Sequence, residues 1–132
     1  GWFGRIRPNT DEEDLLDLKK AGIFAITDGV RILSIQHRAL EGNTFKRIER
    51  LAALGVLPQA EAAELAAAFA FLTRLRLDAQ LERLAAGEPA RNALPLRRLG
   101  RLQRAELRSA LETVRRFQKF LKLHFRLDLL RS

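Results

Sequence analysis

From Pro58 to Ala86 the chain has no glycine, and no proline after Pro58 itself; Gly87 then closes the run. A breaker-free stretch of this length reads as one helix, with Leu65, Phe69 and Leu72 as an apolar stripe. At ~1.5 Å per residue it would span about 43 Å. A second long helix is predicted from about Leu99 to Leu130, with Leu107, Leu111, Val114, Leu121 and Phe125 on one side and Gly100 weakening its first turn. Between them, Glu88 to Pro95 reads as a loop, because it holds two prolines and Asn92. Two long amphipathic helices joined by a short loop must bury their stripes against each other, so the two are expected to run antiparallel.

Composition agrees with an all-α chain. Hydrophobic residues make up 47% of the 132, mostly Leu and Ala, and tyrosine is absent. Strand-favouring residues are therefore scarce, while the length suits one domain with a real core. The shorter elements follow from punctuation. Gly1 to Thr10 reads as irregular, and Thr10 followed by Asp11, Glu12 and Glu13 as a helix start. Residues 14–20 would complete that helix, or form an extended piece, before a break at Gly22. The next helix is expected to begin near Thr27 or Asp28 and to end at Gly42. Asn43 or Thr44 would cap another, carrying Phe45, Ile48, Leu51 and Leu54, with Gly55 just past its end and Pro58 in the first turn of the long helix. The sum is an all-α helical bundle of about five helices.

With no cysteine there is no disulfide framework and no thiolate metal site. No apolar run approaches the ~20 residues that span a bilayer, no signal peptide pattern is present, and a cytoplasmic location with no membrane partner is expected. The chain lacks methionine. It reads as a piece of a longer protein, with residues 1–10 the tail of an upstream domain or a linker and residues 11–132 a helical domain.

The best site candidate is the segment from Asp17 to Glu49. Its charged groups cluster at breaks and caps, where an ordinary core helix does not need them. Lys19, Lys20 and Arg31 flank Gly22 as cations able to face a phosphate or an acidic substrate. Asn43 and Thr44 are helix caps first, but a helix N-terminus also attracts anions, and Lys46 and Arg47 in that first turn would add to the attraction. Arg76 and Gln80 continue the stripe of the long helix at four and eight residues beyond Leu72. They would face the interior or a cleft, where polar groups need partners, and Asp17 or Asp28 is available to pair with Arg76.

Other chemistry is poorly supported. There is no Gly-Ser pair and no Asp-x-Asp, so the carboxylate pair that holds Mg²⁺ for nucleotidyl transfer is missing. Asp11 to Asp14 reads as a solvated first turn. No glycine-rich phosphate loop occurs. His37 and His124 are distant in sequence, without a second ligand at helical spacing, and read as surface or half-buried residues. Ser34, Ser109 and Ser132 have no triad context.

The strings DLKKAGIFAITDGVR, NTFKRIE and RLRLDAQ resemble the C-terminal helical domain of a family of bacterial nucleotidyltransferases similar to the protein-PII uridylyltransferases. The likeness covers roughly Trp2 to Leu130. It implies a non-catalytic, substrate-binding helical domain that completes the cleft of an upstream catalytic domain in cis. Cyclic-nucleotide-binding and CBS modules, a role in signal transduction, and a protein or small-molecule acceptor are implied for the parent. Nucleoside triphosphate and Mg²⁺ would serve the full-length protein, and no cofactor is expected in this chain. Asp17, Lys19, Lys20, Asp28, Arg31, Asn43, Thr44, Arg47, Arg76 and Gln80 fall on or beside the matching strings as substrate-binding candidates. The family usually has proline where this chain has Ala25, which should loosen the backbone there.

Charge suggests a second reading. Residues 97–132 hold 11 Lys/Arg and 3 Asp/Glu, a net of +8, while residues 1–96 hold 13 of each and net zero. Arg97, Arg98, Arg101, Arg104 and Arg108 repeat every three or four residues, extended by Arg115, Arg116, Lys119 and Lys122. Such a stripe is usually a solvated face balanced by acids of other helices. It also suits a regulatory module that docks on an acidic protein surface or RNA. Nucleic acid is the less favoured partner, because Phe117 and Phe120 sit at core spacings rather than interleaved for base stacking. A homodimer is left open.

Overall fold

The computed structural model describes residues 15–91 and 93–131. The expected cap at Thr10 and the acidic run 11–14 lie outside them. The described chain begins with a short strand β1 (Leu15–Asp17), followed by a π-type turn (Lys19–Ile23) that runs directly into α1 (Phe24–Gln36). Then come α2 (Thr44–Ala53), α3 (Gln59–Ala85), β2 (Ala93–Pro95), a 3-10 turn (Leu96–Arg98) and α4 (Arg101–Arg131). The fold is mostly helical, as expected, but with four α-helices among the described residues rather than about five. None is long and apolar enough to cross a membrane.

α3 and α4 form the frame. The ion pairs Glu64–Arg116 (2.7 Å) and Glu82–Arg98 (3.3 Å) match early α3 with mid α4 and late α3 with the turn before α4, so the two run antiparallel. Leu65, Leu72 and Leu75 of α3 meet Leu107, Leu111, Val114 and Phe117 of α4 in one core that also takes Ile26, Val30 and Leu33 of α1 and Ile48 and Leu51 of α2. The Glu88–Pro95 connection is not all loop. Ala93–Pro95 pairs antiparallel with Leu15–Asp17, Leu16 opposite Leu94, which ties the chain before α1 to the α3–α4 connection.

Gly22 is not a break. The expectation rested on glycine's low helix propensity, but the position is helical because packing requires a missing side chain. A Cβ there would sit 2.7 Å from Leu72 Cδ1 and 3.3 Å from Val114 Cγ2. The helix therefore starts upstream of Thr27, and Ala25 is helical, with the irregularity absorbed by the π-type turn just before it. Gly29 does the same on α1: a Cβ would meet Leu121 and the Phe117 ring at 2.6 Å. Two glycines, seven residues apart, let this segment lie flush on α3 and α4.

α1 ends at Gln36, not at Gly42. Ala39 N–H donates to Ser34 O (2.7 Å) and Arg38 N–H to Ile35 O (3.2 Å), the paired bonds of a Schellman ending. The residue that turns left-handed is Arg38 (φ 53°), where glycine is usual, and Ala39 behind it is buried. Gly42 (φ 79°) serves the loop before α2 instead. α2 is capped as expected, with Lys46 N–H donating to Asn43 Oδ1 at 2.9 Å, and Gly55 (φ 75°) follows its end. Pro58 stands just before α3 rather than inside its first turn.

Two substitutions test this packing by urea unfolding. Gly29→Val should cost about 2 kcal/mol or more, because the overpacking against a rigid phenyl ring exceeds the roughly 0.3–0.5 kcal/mol gained in helix propensity. Arg38→Gly should stabilise by about 0.5–1 kcal/mol, through relief of the left-handed strain.

Candidate functional site

The predicted residues divide into groups with different work. Asp17 is half-buried at the end of β1, where its Oδ1 accepts the Lys20 N–H at 3.2 Å. It thus caps the helical turn that follows, a favourable place for a carboxylate. Lys19 Nζ lies 5.6 Å from the centre of the Phe24 ring, a cation–π contact that steers its stem along α1. Lys20 is exposed.

Asp28 pairs not with Arg76 but with Arg31, one turn along α1, at 3.7 Å. Both side chains are more than half exposed, 60% and 57% respectively. A pair this long and this wet contributes little to stability. Both groups remain accessible.

Asn43, Thr44 and Arg47 stand at the other end of α1. Thirteen helical residues, about 20 Å, separate them from the π-type turn. Asn43 is a cap. Arg47 Nη2 donates to Leu40 O at 3.3 Å and braces the loop into α2, while its Nε is buried without a hydrogen-bond partner. These residues do not converge with Lys19 and Lys20 into one pocket.

Arg76 and Gln80 are half-buried. The stripe of α3 does not run through them but passes from Leu72 to Leu75 and Ala79, which are buried. A step of three followed by four tracks the 3.6-residue helix better than two steps of four. Arg76 and Gln80 therefore flank the core on the side of α3 next to Leu72, whose tip touches Gly22.

Two features were not legible in the sequence. His37, at the end of α1, and His124, on α4, bring their rings to 5.7 Å, and His124 Nε2 lies 3.0 Å from Gln36 Oε1. Phe120 stacks on His124 at 5.5 Å. Only the docking of α1 on α4 makes this cluster, so no local motif announces it. Nearby, Leu57, Leu65, Phe117, Phe120 and Leu123 floor a groove of about 330 Å³ between α3 and α4, with the Glu64–Arg116 pair on its rim. Among the described residues no group of three His, Cys, Asp or Glu is placed to hold a metal ion.

The elements that bear the charged strings are thus a β-ribbon end, a π-type turn and the outer face of α1, presented by a helical frame. A family model described as "Putative nucleotidyltransferase substrate binding domain" matches residues 1–125. The chain belongs to that family. No curated protein and no solved structure matches it. Membership in a nucleotidyltransferase substrate-binding family implies an associated catalytic domain in cis. Of the charged and polar groups in this segment, Asp17 and Asn43 are engaged in capping, whereas Lys20, Asp28 and Arg31 are exposed.

Asn43 offers a direct check on that division. Asn43→Ala should cost about 1 kcal/mol of stability and Asn43→Ser nearly none, as expected of a cap. Substrate binding by the full-length protein should be unchanged in Asn43→Ser.

Proposed function

We propose that this domain forms one wall of the substrate cleft of a nucleotidyltransferase, using the outer face of α1 and the π-type turn before it. One observation carries the reading. The inner face of α1 is fully buried, through Ile26, Val30 and Leu33, yet the outer face leaves Phe24, Ile32 and Ile35 about half exposed, at 46%, 48% and 56%. Phe24, Asp28, Arg31 and Ile35 follow one another at spacings of four, three and four, so apolar and charged groups share a single line along the helix. An apolar face with accessible charges at its centre suits a surface that meets a second domain across a polar ligand.

In this reading Lys20 and Arg31 neutralise a phosphate or an acidic acceptor. Asp28 orients Arg31 in the absence of substrate and releases it when an anion arrives. Arg76 and Gln80 support the wall from α3. In this reading triphosphate and metal are held by the catalytic domain, and the contribution here is binding and orientation.

The test uses the full-length protein. Lys20→Ala, Arg31→Ala and Arg76→Ala should each lower kcat/KM for nucleotidyl transfer by roughly tenfold or more, the scale of one lost charge-assisted contact, with folding intact by circular dichroism. Unchanged activity in all three variants would sink the assignment.

A further inference from the structure

The basic excess of the chain takes a definite shape in the fold. Arg101, Arg108, Arg115 and Lys122 follow at intervals of seven, and all are exposed on α4. Residues seven apart drift by only about 20° around a helix, so the four form a nearly straight line, which Lys119 and Arg126 widen. From Arg101 to Arg126 the ridge is about 38 Å long.

The acids that balance α4 lie elsewhere. Glu64 takes Arg116, and Glu82 takes Arg98 on the turn before α4. Arg104 turns inward, its Nη2 donating to Leu96 O at 2.8 Å and its Nε to Leu99 O at 3.2 Å, and fastens the 3-10 turn to the first turns of α4. The expectation of a stripe balanced by other helices therefore holds for Arg98 and Arg116. Arg101, Arg115, Lys119, Lys122 and Arg126 form no ion pair with another described residue. Among the described residues, Glu112 of α4 lies beside the line, and Glu61 and Glu64 of α3 share the groove that Lys119 borders.

We propose that this ridge binds the phosphate backbone of nucleic acid without regard to base sequence. Cations alone suffice for backbone binding, which is driven by release of condensed counterions. A protein partner would want a desolvated apolar or aromatic anchor amid the charges. The line holds none. Phe117 is buried, Phe120 is half-buried in the groove, the exposed Leu102, Leu123 and Leu127 lie to one side of it, and the exposed Leu130 lies beyond its end. With no aromatic platform on the ridge, base stacking is not part of the contact. The surface is separate from the cleft wall on α1 and stands or falls independently of it.

The experiment is a titration of a 5′-labelled 20-nucleotide oligouridylate with the chain, followed by fluorescence anisotropy at several salt concentrations. Affinity should fall with salt at a log–log slope of about −3, as for roughly four neutralised phosphates on a single strand. The triple variant Arg101→Glu, Arg115→Glu, Lys122→Glu should weaken binding by roughly tenfold or more and flatten the slope, with helicity unchanged. The control reverses Arg38, Arg74 and Arg91, exposed cations on other elements, and should leave affinity within about twofold. Equal losses in both triples would reduce the effect to net charge and overturn the proposal. No binding at about 50 mM salt, or a flat salt response, would overturn it as well. Tighter binding of polyglutamate than of the oligonucleotide at equal charge and salt would assign the ridge to an acidic protein instead.

Discussion

Everything in this fold depends on how closely one short segment approaches the α3–α4 pair. The π-type turn and α1 lie on that pair at Gly22 and Gly29, where the missing Cβ atoms leave room for Leu72 of α3 and Phe117 of α4. A larger residue at either point would lift α1 away and open the core around Ile26, Val30 and Leu33. The charged outer face of α1 is aimed by this inner contact, so the proposed cleft wall and the packing are two sides of a single helix.

The long elements were legible because their signals are local and repeated. α3 is bounded by Pro58 and Gly87, and α4 carries its apolar stripe from Leu107 to Phe125, about five turns, so no tertiary contact overrules them. The segment from Asp17 to Gly42 was misread for the opposite reason. Gly22 looks like punctuation when propensity is the only guide, yet it is selected by Leu72, some fifty residues away. Arg38 hides a helix end in the same manner, because nothing about arginine announces a left-handed backbone. The β1–β2 ribbon and the His37–His124 contact likewise join residues whose sequence neighbourhoods carry no trace of each other.

For the candidate site, the residue types were legible but their grouping was not. Charged residues at breaks and caps drew attention to the Asp17–Glu49 segment, and the fold divides them by work. Asp17 and Asn43 satisfy backbone donors, Arg47 braces a loop, and Lys20, Asp28 and Arg31 are left facing solvent. A sequence shows that a polar residue is out of place in a core helix. Only the fold shows whether a backbone amide has already claimed it.

The small ribbon has a consequence for the order in which the structure assembles. It joins residues 15–17 to residues 93–95, and so closes a loop of more than seventy residues with three pairs of partners. The entropy lost in closing such a loop exceeds what three residue pairs can return on their own, so the ribbon can form only after α1, α2 and α3 have packed and shortened the distance. Asp17, the cap of the π-type turn, stands at the end of that ribbon. The proposed cleft wall is therefore finished last, and its first turn is the part of the domain whose order depends most on everything else having folded.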